Sequence, residues 1–430
     1  MRAAYYGGTL TGSGQSLGLL EYRGTDLSDL SAYFSNVGQT NNVPIVLYST
    51  DGTSTSCVYS QNCDDLEQTI DMTQAIGMAP GLSRLVMYVG STDAAILNAM
   101  ASGYNGQLDY QLSSSWTWVP SQPDVNDQTF EEFQAQGQSF FQAAGDDGTW
   151  TTSLWNDGYV YPADDPYITS VGGTDLETSS AGGPWSSETT WTRTGGGISP
   201  APAEFPIPVW QTTAAQGCTN CSQTYRNGPD VSANANWSFY VCADQISCTA
   251  NVWGGTSFAA PMWAGFAALA NQQSVADGIG TIGFINPSIY GIAQGANYDG
   301  DFHDVTVDCN NAYCATTGFD LVTGLGSPSG QNLINALIEQ AATPYESNVN
   351  VTLNGIPPTS INYAITFQDA TPGSTIHYQV TICNSPYGWS TTTPGSIVNF
   401  YNPCPSTTPY GTMYATAPGY LQSSSISMSF

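Results

Sequence analysis

Short apolar and β-branched runs alternate with helical patterns from the start of the chain to Gly173. The runs predict buried strands at Ser16–Tyr22, Val43–Tyr48, Arg84–Val89, Leu108–Ser114, Ser139–Ala144 and Tyr167–Val171. Between them, helical spacing predicts helices near Asp29–Val37, Asp65–Ile76, Ala94–Met100 and Thr129–Gln136. Because strands that alternate with helices pair in parallel, the pattern predicts an α/β fold with a doubly wound, mostly parallel sheet.

The pattern changes beyond Gly173. Segments rich in Gly, Ser, Pro and Trp lead to an apolar helix after Ser257, and a helix at Gly330–Ala341 closes this region. From residue 346 onward, alternating runs between turn residues predict a small all-β sandwich, with strands at Val349–Leu353, Ile361–Phe367, Thr375–Val380, Gly411–Ala415 and Ser423–Phe430. We therefore predict a first domain over residues 1–342, a linker at 343–345 and an accessory domain over 346–430.

Composition narrows the partners and the medium. The 430 residues include 34 acidic side chains against five arginines and no lysine, a net charge of -29. Charge repulsion excludes nucleic acid and anionic membranes as partners, and the longest apolar run, Phe258–Ala270, contains Pro261 and is too short to span a bilayer. Near pH 4 about half of the carboxylates are protonated and the net charge falls to roughly -10. The chain is suited to an acidic medium, although solubility alone also explains an acidic composition.

The ten cysteines form five sequence-adjacent pairs: 57 with 63, 218 with 221, 242 with 248, 309 with 314, and 383 with 404. Local pairing predicts five disulfides and secretion into an extracellular, oxidising environment. Cys218 and Cys221 also match half of a zinc or redox site, or they cross-pair with Cys242 or Cys248. No basic stretch followed by an apolar run opens the chain, so any export signal is expected to have been removed or never to have been part of this sequence.

A serine at the start of an apolar helix is the first candidate for chemistry. Gly254-Gly-Thr-Ser257 precedes the helix, with Pro261 expected in its first turn. A serine there lies beside free backbone N–H donors, which suits a nucleophile, whereas an N-cap serine is the structural alternative.

A nucleophilic serine needs a base, and carboxylates are the available candidates. The two histidines, His303 and His377, lie in a late acidic loop and in the accessory domain. Glu67 and Asp71 are four residues apart, so on a helix they share one face. Two carboxyls at such a short distance tend to share a proton. Repulsion between their charges then raises one pKa of the pair, which gives a base that works in acid. The alternative is a solvated acidic face with Asp64 or Asp65 as cap.

Several ordered motifs make the chain resemble the sedolisins, or serine-carboxyl peptidases, in their kumamolisin-like branch. The motifs span residues 1–342: Glu67 to Asp71 with Ala79-Pro-Gly81, Ala144-Gly-Asp-Asp-Gly148, Tyr167 to Thr174, Gly195 to Ser199, Pro229 to Ser232, the Ser257 segment, His303-Asp-Val305 and Gly318 to Pro328. This resemblance implies a subtilisin-like sheet and peptide hydrolysis.

The resemblance implies a role for each matching residue. Ser257 matches the nucleophile, Glu67 the general base, Asp71 the residue that orients this base, and Asp146 the acid of the oxyanion hole. A protonated carboxyl can donate a hydrogen bond to a developing oxyanion. Alignment favours Asp146 over Asp147. Reference pKa values then predict activity near pH 3 to 5.

The resemblance also implies one calcium ion. Asp304 and Asp320 match carboxylate ligands, and Val305, Thr316 and Gly318 match carbonyl ligands, with water completing the shell. Thr316 stands where glycine is common, and the loop is short and contains Cys309 and Cys314. The alternative is two surface aspartates in a disulfide-closed loop.

Substrate contacts are expected along Ser113–Trp118 and the open edge Gly195–Gly197. Trp116 and Trp118 are alternatively core aromatics, and Arg226 with Asp230 is expected to be a structural ion pair. Residues 346–430 resemble β modules appended to bacterial secreted hydrolases, here interpreted as a spacer.

These observations predict a secreted, monomeric, acid-active endopeptidase that acts on proteins or peptides through an acyl-enzyme. Sedolisins carry an N-terminal prosegment, expected to bind this domain and absent from this chain. Three alternatives stay open: a tripeptidyl aminopeptidase, a glycosidase with paired carboxylates, and an inactive binding protein.

Overall fold

The computed structural model describes residues 1–120, 123–150 and 160–342, and beyond them the backbone of eight strands. The predicted linker therefore lies outside the described residues. Contacts along the chain separate two compact units, Met1–Ile338 and Glu339–Phe430. In the described part of the chain, no helix has the length and apolar character needed to cross a membrane.

The first unit is built on an eight-stranded sheet. Its strands are β1 (Ser16–Glu21), β2 (Ile45–Ser49), β3 (Arg84–Val89), β4 (Gln111–Ser114), β5 (Ser139–Ala143), β6 (Thr169–Thr178), β7 (Trp185–Thr190) and β10 (Val231–Asn234). Seven strands pair in parallel in the order β10-β6-β5-β4-β1-β3-β2, and β7 pairs antiparallel with β6. The predicted parallel sheet is confirmed.

Short strands complete this unit: β8 (Gly197–Ile198) with β9 (Asn227–Gly228), β11 (Tyr240–Val241) with β12 (Thr249–Ala250), and β13 (Phe302–His303) with β14 (Ser327–Pro328). The helices are α1 (Arg2–Tyr5), α2 (Leu27–Asn36), α3 (Leu66–Met78), α4 (Asp93–Ser102), α5 (Pro123–Ala135), α6 (Thr212–Gly217), α7 (Thr256–Ala276), α8 (Asn286–Ala293), α9 (Tyr298–Asp301) and α10 (Gly330–Ala342). The predicted helices are confirmed, with α5 beginning at Pro123 rather than near Thr129.

Two helix layers flank the sheet. Helices α3 and α7 pack against each other, and α7 also contacts β4, β5, β6 and β10. Helices α4 and α5 form the other layer, over a core that includes Phe130, Phe133 and Phe140. This arrangement explains why α7 is buried almost all round, as its apolar sequence predicts.

Gly265 lets α3 and α7 approach closely. A Cβ at this position would lie 2.8 Å from the Met78 Cβ and 2.9 Å from the Ala75 carbonyl oxygen. A larger residue would push the two helices apart. Since Glu67 and Asp71 lie on α3 and Ser257 on α7, this contact helps to set the spacing of the predicted site.

The second unit contains strands β15 (Asn350–Leu353), β16 (Asn362–Gln368), β17 (Thr375–Ile382), β18 (Ser385–Pro386), β19 (Ser390–Thr392), β20 (Ile397–Tyr401), β21 (Tyr410–Thr416) and β22 (Ile426–Ser429). Its strands pair antiparallel in a three-stranded and a five-stranded sheet. The sandwich itself stays a prediction.

Four of the five predicted disulfides are present: Cys57–Cys63, Cys218–Cys221, Cys242–Cys248 and Cys309–Cys314. Cys383 and Cys404 lie outside the described residues. The bond between Cys218 and Cys221 rules out their cross-pairing with Cys242 or Cys248, and it leaves no thiolate there for zinc.

Candidate active site

Ser257 lies in the first turn of α7, half-buried, at the edge of the sheet where the parallel strands end. The N-cap residue is Gly255, which has no side chain to bond the free N–H groups of the turn. Asp146, just beyond β5, supplies that partner instead. Its Oδ1 accepts hydrogen bonds from Thr256 N at 2.8 Å and from Thr256 Oγ1 at 2.9 Å.

The sequence analysis placed Pro261 in the first turn of α7, and this prediction is wrong. Pro261 is the sixth helical residue counted from Thr256. Proline has no N–H to donate to the carbonyl four residues earlier, which here belongs to Ser257. Ser115 Oγ lies 3.4 Å from that carbonyl oxygen and partly replaces the missing donor.

Asp146 is arranged to hold a proton on Oδ2. Because Oδ1 already accepts two hydrogen bonds, Oδ2 is the oxygen left to carry a proton and donate. A Cβ on Gly255 would lie 2.6 Å from this Oδ2, so only glycine leaves the carboxyl its space. Burial raises the pKa of Asp146, and the hydrogen bonds from Thr256 partly offset this rise.

Glu67 lies in the first turn of α3, beside Ser257. Burial is the main cause that raises the pKa of Glu67 to about 7; the neighbouring Ser257 hydroxyl lowers it, and the charge of Asp146 raises it. The structure therefore brings the predicted base to the predicted nucleophile. The alternative of a solvated acidic face does not hold for Asp71, which is fully buried, although Asp64 does bond the N–H of Leu66 at 3.0 Å.

Asp71 lies next to Glu67 and contacts Ser115, from the segment expected to bind substrate, and Glu21, which the sequence analysis did not assign. Ser115 Oγ donates to Asp71 Oδ1 at 2.7 Å. Glu21, the last residue of β1, is fully buried and lies beside Asp71. Trp116 Nε1 donates to Glu21 Oε2 at 3.0 Å. The available sequence signal was a charged residue that ends an otherwise apolar strand.

Glu21, Asp71 and Glu67 form a buried chain of carboxyls. Among the described residues, one oxygen of each has no N–H or O–H donor. Burial raises the pKa of Asp71 and of Glu21 well above the usual range, and for Asp71 the charges of Glu21 and Glu67 add to this rise. Carboxyls this close hold protons between them, so each titrates as part of the set.

These shifts change the predicted pH window. A form with Glu67 ionised and Asp146 protonated was expected near pH 3 to 5 from reference values. Since burial raises the pKa of both groups, the window moves upward from that range. The low-pH limit of this window moves upward because Glu67 keeps its proton to higher pH, and a protonated Glu67 cannot act as a base.

His303, Trp118 and the pair of Arg226 with Asp230 lie outside the site. The His303 ring stacks on Trp185 with centroids 4.1 Å apart, and burial lowers its pKa to about 4. Trp118 is a buried core aromatic, whereas Trp116 supports Glu21 as described. The expected ion pair of Arg226 and Asp230 is confirmed, with Nη2 2.5 Å from Oδ2 and both side chains fully buried.

The predicted calcium ligands converge on one turn. Gly318 N donates to Asp304 Oδ2 at 3.0 Å, and Thr316 N donates to Asp320 Oδ2 at 2.9 Å. Thr323 Oγ1 lies 3.2 Å from both Asp320 oxygens and 3.5 Å from the Val305 carbonyl oxygen. Carboxylates and backbone carbonyls are oxygen ligands of the kind that Ca²⁺ takes, although the described residues contain no cluster of three or more His, Cys, Asp or Glu side chains that could hold a metal. Asp320 is only 2% exposed, against the alternative of two surface aspartates.

Comparisons with known proteins agree with this geometry. A profile of the subtilase family (Peptidase S8) matches residues 67–277, which include Glu67 and Ser257. Kumamolisin of Bacillus sp. (strain MN-32) is 32% identical over 361 residues, covering 77% of this chain and 62% of its own length. A structure of Pseudomonas sedolisin (serine-carboxyl proteinase), complexed with two molecules of pseudo-iodotyrostatin, is 25% identical with a TM-score of 0.62, covering 77% of this chain and 94% of that chain.

The chain is similar to the sedolisins over 77% of its length. Xanthomonalisin of Xanthomonas sp. (strain T-22) is a further relative, 30% identical over 319 residues, or 61% of this chain and 36% of its own length. The chain thus spans less than two thirds of these curated relatives. Over this shared region the chain has a subtilisin-like α/β fold with a parallel sheet.

Proposed function

We propose that this protein is an acid-active endopeptidase that hydrolyses proteins through an acyl-enzyme on Ser257. The observation that carries the proposal is that Ser257, Glu67 and Asp146 lie together at the N-terminal end of α7. Glu67 lies beside Ser257, and Asp146 Oδ1 accepts a hydrogen bond from the adjacent Thr256 N while its Oδ2 stays available for a proton.

The proposed reaction uses these groups in order. Glu67 takes the proton of Ser257 as Oγ attacks the scissile carbonyl, and Asp146 donates its hydrogen bond to the oxyanion that forms. The protonated Glu67 then gives its proton to the leaving amine, and the peptide C–N bond breaks. Water, activated by the same carboxylate, hydrolyses the ester and restores Ser257. Asp71 orients Glu67 throughout, and Glu21 with Ser115 holds Asp71.

Mapping cleavage sites in an acid-denatured protein tests the proposal. We expect internal cuts by this chain across an acidic pH range, identified by mass spectrometry of the peptides. Release of successive tripeptides from the N-terminus alone would support the tripeptidyl aminopeptidase instead. Absence of cleavage by folded protein at every pH from about 2 to 7 would support an inactive binding protein.

We also propose that Asp304, Asp320, Val305, Thr316 and Gly318 hold one Ca²⁺, which would stabilise the loop rather than take part in the reaction. Ligand binding to the native state alone raises stability by about 2.7 kcal/mol when the free ion is 100 times its Kd. Removing calcium with a chelator at pH 6 should therefore lower the thermal midpoint, measured by circular dichroism.

The control for calcium is Asp304→Asn, which removes one half-buried carboxylate of the turn. This variant should unfold at the same temperature with chelator and with added calcium. A wild-type midpoint that ignores both additions would contradict the calcium proposal and leave the peptidase proposal untouched.

The disulfides and the acidic composition support secretion into an acidic medium as a further part of the proposal. The remaining expectations, a monomer and an N-terminal prosegment as intramolecular partner, stay predictions.

A further inference from the structure

Arg193 fixes the loop that carries Asp146. Its Nε donates to the Asp146 carbonyl oxygen at 3.0 Å, and its own carbonyl accepts from Gly148 N at 2.9 Å. Two residues later, Gly195 N donates to the Gly145 carbonyl oxygen at 2.7 Å. Three hydrogen bonds therefore join the 193–195 segment to the 145–148 loop.

The guanidinium is held in place by aromatic rings. Its central carbon lies 5.9 Å from the Trp191 ring centroid and 5.8 Å from that of Trp237. Nη2 is 3.8 Å from Asp147 Oδ1, too far for a hydrogen bond. The side chain is 51% exposed, yet its position is determined from two sides. The guanidinium thus carries its positive charge beside the 145–148 loop.

The charged groups that face Asp146 are Arg193, Asp147 and Glu67. Burial, the largest cause, raises the pKa of Asp146. The Arg193 charge lowers this pKa, and the Asp147 charge raises it. Because the proposed reaction needs the protonated form of Asp146, the charge of Arg193 opposes the reactive state and that of Asp147 favours it.

We propose that Arg193 is a positioning residue whose hydrogen bond fixes the oxyanion-hole loop and whose charge lowers the upper pH limit of peptide hydrolysis. This inference rests on the proposed function and adds a regulatory residue to it. Asp147 is the matching residue of opposite sign.

The test compares Arg193→Gln with Arg193→Lys in kcat/KM against pH on an internally cleaved peptide. Glutamine can still donate to the Asp146 carbonyl but carries no charge, so Asp146 keeps its proton to higher pH. On the basic limb, kcat/KM relative to its maximum should rise about twofold, since a half-exposed charge has a modest effect. Lysine keeps the charge and should leave the limb in place.

Asp147→Asn should move the basic limb the opposite way, to lower pH. Asp277→Asn is its matched control, because this residue caps the far end of α7, roughly 30 Å along the helix from Ser257, and should cause no movement. The Arg193→Gln shift should shrink in about 1 M salt, where the Debye length falls to about 3 Å. Circular dichroism at each pH verifies that every variant is folded.

The variant Asp146→Asn tests whether Arg193 acts on the pH profile through Asp146 or through another titrating group. In that background Asp146 no longer titrates, so Arg193→Gln should no longer move the limb. A shift that persists there, or equal shifts from glutamine and lysine, would overturn the charge role of Arg193.

The carboxyl carbon shift of Asp146, followed by NMR in labelled protein, gives a second measurement that needs no turnover. Its titration should move to higher pH in Arg193→Gln, and an unmoved titration would overturn the inference even if cleavage is normal. A protein that cleaves nothing but shows the NMR shift would contradict the proposed function and not this charge coupling.

Discussion

Ser257→Ala should lower kcat for protein hydrolysis by about 10⁴- to 10⁶-fold, because the acyl-enzyme has no other oxygen on which to form. Glu67→Gln should cost nearly as much, since the glutamine amide cannot accept the Ser257 proton. The double variant should have about the same kcat as the less active of the two single variants, because the effects of residues that act as one unit are not additive. Rates of peptide release in acid measure all three.

Ser274→Ala is the matched control for this experiment. This serine lies on the same helix and is fully buried, so its replacement tests helix integrity without touching the site. It should keep wild-type kcat. If Ser257→Ala retained wild-type hydrolysis while Glu67→Gln lost it, a carboxylate mechanism of the glycosidase kind would replace the one proposed.

The sequence predicted the sheet well because its signal is local. A buried parallel strand is a short apolar run, and β1, β3 and β5 each consist of one. The candidate site was predicted for a related reason, since Glu67 and Ser257 both lie in the first turn of a helix, where motif and position coincide.

Glu21 escaped prediction because its meaning depends on distant partners. Its hydrogen bond to Trp116 joins residues 95 positions apart, and no local pattern encodes that contact. The same holds for Arg193, whose proximity to Asp146 follows from pairing between the 193–195 segment and the loop after β5. Contacts of this kind need the assembled sheet.

The expected pH window depends on how far each carboxyl departs from its reference pKa. Reference pKa values describe carboxyls in water, whereas Glu67 and Asp146 lie beside other carboxyls in a partly closed site. Burial and like charge act in the same direction on Glu67. Sequence reasoning can identify acids that share a site, but the size of the shift depends on how much water the fold removes.

Gly255→Ala should lower kcat/KM by about 10²- to 10³-fold, the cost of losing one oxyanion-hole donor. The added Cβ would lie 2.6 Å from Asp146 Oδ2 and 3.4 Å from Cγ, so the carboxyl must move. The backbone itself tolerates alanine, because a φ of 164° is extended conformation. The loss should therefore appear in catalysis, with unfolding free energy reduced by about 1–3 kcal/mol at most.

A double-mutant cycle with Asp146→Ala decides whether the loss acts through this carboxyl. Once Asp146 is removed, the added methyl group of Gly255→Ala has nothing to displace, and the double variant should match Asp146→Ala alone. Additive losses would mean that Gly255 serves the reaction by another route, such as the backbone N–H groups of the helix turn. Gly217→Ala, where the new Cβ meets nothing within 4 Å, controls for a general effect of replacing glycine.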